Sequence, residues 1–149
     1  MVEQVICLFL AGCAGTFISM QASANGSFRR NLGDPAFASF FSICGTFVTA
    51  CALMLLYRPP MPPLPAIRAT PWWNWIGGPL GAMIVLSGAA LTPRLGAGAF
   101  ISAVIAGQLL SSILLDHLAM MGLEHRALTP GRALGALLVV AGAACIRFL

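Results

Sequence analysis

The chain has 149 residues, of which 59% are hydrophobic and 8% are charged, and its mean hydropathy is +0.92. Soluble domains carry about 25% charged residues, so this composition excludes a soluble enzyme, a nucleic-acid-binding protein and a disulfide-rich module. The net charge of +4 comes from arginines that lie singly or in one pair, without a basic cluster for a phosphate backbone.

Five apolar runs predict an all-α integral membrane protein, because each span of a bilayer takes about 20 apolar residues. The predicted helices cover about 5–24, 36–57, 72–91, 95–121 and 132–148, and together they form a single transmembrane domain, residues 1–149. Four of the runs follow an acidic or hydroxyl residue paired with proline, a combination that suits a helix N-terminus. These pairs are Asp34-Pro35, Thr70-Pro71, Thr92-Pro93 and Thr129-Pro130.

The first run ends in a polar stretch that imitates a signal-peptidase site at Ala22-Ser23-Ala24. A secretory signal needs a positive start, but the one early charge is Glu3. We therefore expect residues 1–24 to remain as the first helix. Gln21 and Asn25 lie one turn apart at its predicted C-terminal end, where they could either bind a solute or cap the helix.

Tryptophans cluster where the third run begins, at Trp72, Trp73 and Trp75. Trp75 could stack on a solute, and an aromatic belt at the membrane interface is an equally good interpretation. Gly77-Gly78-Pro79 then interrupts the run and predicts a kink, because proline removes a backbone donor.

The fourth run carries a polar face, since Gln108, Ser111, Ser112 and Asp116 follow at i, i+3, i+4 and i+8. Gln108 lies roughly 18 Å into this helix, close to the bilayer midplane. A buried amide there could bind a solute or join two helices. Asp116 lies near the far interface, where it could instead pair with Arg126 or Arg132.

Carboxylates are missing from the middle of every predicted helix, and the sequence shows no metal-ligand spacing, nucleotide loop or nucleophile with a partner base. Proton exchange through a central carboxylate is therefore not expected. The protein is predicted to be neither an enzyme nor cofactor-dependent.

Small residues repeat at four-residue spacing on four runs, which permits close helix approach. These pairs and triplets are Ala11 and Gly15, Gly77 and Gly81, Ala103, Gly107 and Ser111, and Gly131 and Gly135. Packing within one chain is the simpler interpretation and predicts a compact bundle.

The arginines are divided equally between the two sides of the membrane. Arg58, Arg68, Arg126 and Arg132 fall on the N-terminal side, and Arg29, Arg30, Arg94 and Arg147 on the other. Because an excess of positive charge normally sets orientation, equality predicts insertion in both directions. Two inverted copies would then form a ten-helix inverted repeat, the plan of many transporters.

The chain also resembles the YdcZ-like family of the drug/metabolite transporter superfamily along nearly its whole length. The motifs that carry the resemblance are Gln21-x-x-x-Asn25, Leu32-Gly33-Asp34-Pro35, Trp73-x-Trp75-Ile76-Gly77-Gly78 with Gly81, Pro93-x-Leu95-Gly96-Ala97, Gly107-Gln108-Leu109 with Asp116-His117, and Arg132-x-x-Gly135. The resemblance implies five-helix proteins that act as inverted dimers. One departure is Ala119, where a glycine is expected.

The leading hypothesis is a multi-pass transporter of a bacterial inner membrane that moves a small metabolite or amphipathic organic solute. Its partners would be the lipid bilayer, an inverted copy of itself and the solute, without nucleic acid. The candidate solute-binding residues are Gln21, Asn25, Trp75, Gln108, Ser111, Ser112 and Asp116. The alternatives are a passive channel of inverted pairs and a non-transporting accessory subunit.

Overall fold

The computed structural model describes residues 2–149, and these contain five helices long and apolar enough to cross a membrane. The helices are α1 (Val2–Leu32), α2 (Pro35–Tyr57), α3 (Leu64–Arg68), α4 (Gly77–Leu95), α5 (Ala97–His117) and α6 (Pro130–Phe148). The short α3 lies in the α2–α4 connection, and a 3-10 turn, Trp72–Ile76, leads into α4. The predicted fold class, an all-α integral membrane protein with five transmembrane helices, is confirmed.

Two of the four proline pairs cap a helix as predicted. The Asp34 carboxylate accepts from the Ala36 N–H at 2.6 Å at the start of α2. The Thr129 hydroxyl accepts from the Arg132 N–H at 3.3 Å at the start of α6. Thr70 does not cap, because its hydroxyl donates to the Ala66 carbonyl and a 3-10 turn follows.

The prediction that Thr92-Pro93 begins a helix is wrong. Pro93 lies inside α4, which ends at Leu95. The break comes at Gly96, whose φ of 83° favours glycine. Pro93 has no N–H to donate to the Ala89 carbonyl, four residues before it. At the neighbouring residue, Arg29 of α1 donates to the Ala90 carbonyl at 3.0 Å, so α1 holds α4 close to this missing bond.

The predicted kink at Pro79 is also corrected. Pro79 lies in the first turn of α4, just after the 3-10 turn. The interruption in the apolar run therefore marks a change of helix type, and proline is tolerated there because a first turn needs few backbone donors.

α4 is the central helix, in contact with α1, α2 and α5, and α6 packs mainly against α5. The core consists largely of small residues, among them Ala22, Ala38 and Ala89. Large apolar side chains lie outside, as expected where lipid is the solvent and helices associate by close approach.

The prediction that the small-residue stripes pack against other helices of the same chain is wrong. A Cβ atom added at Gly15, Gly81, Gly107 or Gly135 would meet nothing within 4 Å. The close approach occurs elsewhere, where a Cβ added at Gly26 of α1 would lie 3.3 Å from the side chains of Thr92 and Pro93 of α4. These glycines therefore have open space beside them in the single chain.

Candidate functional site

A groove of about 550 Å³ lies among α1, α2, α4 and α5, and we refer to it as the central groove. It brings together Gln21 and Gln108, which come from opposite parts of the sequence. Its other lining residues are aliphatic, small or aromatic apart from one hydroxyl, and they are Ile18, Ile43, Thr46, Phe47, Ala50, Gly77, Gly78, Gly81, Ala82, Ile84 and Val85.

The central groove lies near the middle of α2 and α5 and beside the N-terminal half of α4. Thr46 is near the midpoint of α2 and Gln108 is near the midpoint of α5. Gln21 lies beside them because α1 continues to Leu32, rather than ending near residue 24. Its predicted place at a helix end is therefore corrected to mid-helix.

Both carboxamides are free in the single chain. Neither Gln21 nor Gln108 makes a side-chain hydrogen bond in residues 2–149, and both side chains are exposed. The Thr46 hydroxyl, by contrast, donates to the Ser42 carbonyl at 3.1 Å, so its proton is taken up within α2. The amides are thus the groups most available to a bound molecule, since a carboxamide both donates and accepts.

A second groove of about 560 Å³ lies between α4 and α5, and we refer to it as the serine groove. Gln108, Ser111 and Ser112 line it from α5, and Ser87 lines it from α4. Ile84 and Gln108 border both grooves. The polar face of α5 therefore continues the central groove along the bundle.

Asp116 lies on α5 beyond the serine groove, and an arginine of α6 balances the negative charge of its carboxylate. Its carboxylate forms an ion pair with Arg132, and the Arg126 N–H donates to its backbone carbonyl at 2.9 Å. The guanidinium of Arg132 also donates to the carbonyls of Arg126 and Ala127. These contacts close the α5–α6 connection, which favours a structural role for Asp116.

Asn25 and Trp75 also lie apart from the two grooves. Asn25 of α1 is only 5% exposed, and its side-chain nitrogen is buried without a hydrogen-bond partner. The hydroxyl of Thr92 on α4 is also buried without a partner. Trp75 lines a separate pocket of about 280 Å³ together with Thr70 and Asn74. The structure thus brings together Gln21, Gln108, Ser111 and Ser112, and it places Asn25, Trp75 and Asp116 elsewhere.

Sequence reasoning missed Thr46, Phe47 and Ser87 as lining residues. Isolated hydroxyls give no usable signal, because serine and threonine commonly donate to their own helix. Thr46 and Ser87 both do so. Within residues 2–149, no three histidine, cysteine or acidic side chains group closely enough to hold a metal ion.

Residues 6–145 match the family model described as "Putative inner membrane exporter, YdcZ". The search of curated proteins gave no match, and the search of solved structures gave none either. The family description names a membrane transporter, which is not an enzyme class. The match covers nearly all of the chain and includes most or all of each of the five spans. The chain therefore belongs to the YdcZ family of the drug/metabolite transporter superfamily, and it is a multi-pass transporter of the inner membrane.

Proposed function

We propose that two inverted copies of the chain transport a small metabolite or amphipathic organic solute through the central groove and the serine groove. The observation that carries this proposal is the meeting of two free carboxamides, Gln21 and Gln108, at mid-height in one groove. Transporters built as inverted repeats hold their substrate near the bilayer midplane.

The lining of the grooves suits an amphipathic molecule. Ile84, Val85 and Phe47 offer an apolar wall, while Gln21 and Gln108 offer hydrogen bonds. Ligand sites commonly combine a largely apolar wall with a few placed polar groups. In this arrangement, Ser111 and Ser112 provide the next polar contacts as the solute moves along α5.

The surfaces that the single chain leaves uncovered favour association with a second copy of the chain. Gly15 and Gly135 lie outside both grooves and leave space for close approach by another helix, and α6 has one main neighbour within the chain. Ten helices from two inverted chains would supply the repeat that transporters of this kind use. The equal division of arginines favours insertion in both orientations.

The proposal is tested with purified protein in liposomes loaded with a metabolite extract of the cells that produced it. Mass spectrometry identifies the solutes that leave faster than from protein-free liposomes. We expect Gln108→Leu to slow their release about tenfold, because a hydrogen bond to the solute is lost. Gln4→Leu, the matched change at an exposed residue outside both grooves, should leave release unchanged.

Equal release rates from the native chain and the Gln108→Leu variant would contradict the site. Release that saturates with solute concentration indicates a carrier, whereas release that rises linearly indicates the passive channel of inverted pairs. An extract from which no solute leaves faster than from protein-free liposomes would contradict the transport proposal, and it would favour the accessory subunit.

A further inference from the structure

The two grooves contain no charged side chain among their lining residues. In residues 2–149 the charged residues lie in connections or near helix ends. Arg29 is the first charged residue after Gln21 on α1, and Asp116 is the first after Gln108 on α5. Each lies eight residues along its helix, or about 12 Å.

The side chains of Arg29 and Asp116, the charged residues that follow the two glutamines on their helices, both have partners outside the grooves. The guanidinium of Arg29 donates to the Ala90 carbonyl at 3.0 Å. The carboxylate of Asp116 is paired with Arg132. Neither is free to turn toward the grooves without giving up its partner, so neither supplies a counter-charge to a bound solute.

An inverted second copy does not change this distribution. It brings the same helices upside down, with their charges again near the two membrane faces and their uncharged middles at the midplane. The carboxamides and hydroxyls are therefore the polar groups available at the centre of the dimer.

We propose that the grooves select an uncharged amphipathic solute with hydrogen-bonding groups on one side, and this inference rests on the proposed function. A charged solute at mid-membrane would lose its hydration and meet no counter-charge. A neutral solute can exchange water for Gln21 and Gln108, each of which donates and accepts. Its apolar side would lie against Phe47, Ile84 and Val85.

The test measures which charges the central groove admits, with the full chain in liposomes and without any transport assay. The five native cysteines, all of them free, are replaced by alanine, and Thr46→Cys places one thiol in the groove. Three methanethiosulfonates of similar size are compared: neutral hydroxyethyl, cationic trimethylammonium-ethyl and anionic sulfonatoethyl. Leu64→Cys, in the exposed α2–α4 connection, gives each reagent's reference rate.

Relative to the reference thiol at position 64, we expect the thiol at position 46 to prefer the neutral reagent over both charged reagents by about tenfold. Charged reagents that react with the groove thiol as fast as the neutral one would overturn the inference. So would a groove thiol that reacts with none of the three, because the groove would then admit no solute.

A second part of the experiment introduces a charge into the central groove and measures the preference of the same thiol. At alkaline pH, Gln108→Glu introduces a carboxylate into the groove that holds the thiol at position 46, and it should shift the preference of that thiol toward the cationic reagent. Gln4→Glu, at the start of α1 and outside the grooves, should not. An unchanged preference in the Gln108→Glu variant would contradict the assignment of these residues to one shared groove.

The outcomes separate this inference from the proposed function. If metabolite release shows transport of charged solutes, the selection of uncharged solutes is wrong while transport stands. If release is absent but the thiol at position 46 prefers the neutral reagent, the groove still selects by charge and transport is wrong.

Discussion

Ala119 has a backbone conformation that normally favours glycine. It follows α5 with φ 51° and ψ 38°, in the left-handed region, at the position where the family motif led us to expect glycine. A side chain in this region costs about 1–2 kcal/mol. The contacts of Asp116 with Arg126 and Arg132 close the same connection, and they hold the chain in that conformation.

We expect Ala119→Gly to raise the free energy of unfolding by about 1 kcal/mol, because the steric cost of the left-handed backbone is removed. Unfolding in detergent micelles, followed by circular dichroism, measures the change. Ala141→Gly, at an exposed helical position of α6, should instead lower stability by about 1 kcal/mol. A loss of stability at both positions would show that the connection gains nothing from glycine.

Among the elements, α1 and α4 have the closest contact. Gly26 lies against Thr92 and Pro93, and Gly88 lies against Ala22. The first contact leaves little room for an added side chain, since a Cβ at Gly26 would lie 3.3 Å from the proline ring. Because that ring is rigid, the two helices would have to move apart by a few tenths of an ångström for a Cβ atom and by more for a larger side chain.

We expect Gly26→Leu to destabilise the fold by about 3 kcal/mol through overpacking. Gly12→Leu is the matched control on the same helix, since a Cβ at Gly12 would meet nothing within 4 Å. Thermal unfolding of both variants in the same detergent gives the comparison. Equal midpoints would contradict the α1–α4 contact.

The number of spans could be predicted from the sequence, and several helix ends could not. Hydropathy indicates each apolar run, and Asp34 and Thr129 cap as their local sequence predicts. Thr92-Pro93 has the same local pattern but lies inside α4. The difference comes from tertiary contacts, with Arg29 on the Ala90 carbonyl and Gly26 against Pro93, and a local pattern carries no information on these.

The candidate site could be predicted where it lies on one helix. The spacing of Gln108, Ser111 and Ser112 places them on one face, and the three side chains line one groove. That Gln21 and Gln108 line the same groove could not be predicted, because the polar stretch from Ser23 to Ser27 is typical of a helix end. Helix α1 continues through it, since Asn25 and Gly26 are buried there.

At the scale of the whole molecule, the distribution of arginines leaves orientation undecided. Four lie on each side of the five spans, and small imbalances in such a chain decide which way it inserts. Under the proposed dual topology, Gly15, Gly135 and the outlying α6 would offer surfaces for contact between oppositely oriented copies.

We expect a labelled cysteine at residue 64 and a tag at the C-terminus each to be found on both sides of the membrane, in comparable amounts. Met61→Lys with Leu64→Lys should bias one orientation and abolish dimers, whereas glutamines at the same positions should not. Co-expression with the opposite bias, Asn31→Lys with Leu149→Lys, should restore dimers. Detection of each site on one side alone would contradict the homodimer and require an oppositely oriented partner protein.

The helices differ in length, and the longest of them does not fit upright within the bilayer core. At 31 residues α1 is about 46 Å long, whereas α6, with 19 residues, is about 28 Å long. A bilayer core of about 30 Å fits α6 upright, but α1 must tilt or project from it. The close packing of Gly26 against Pro93 limits how far α1 can move relative to α4. If a change in bilayer thickness changes the tilt of α1, it also strains this contact, and we therefore expect lipid composition to affect the stability of the protein.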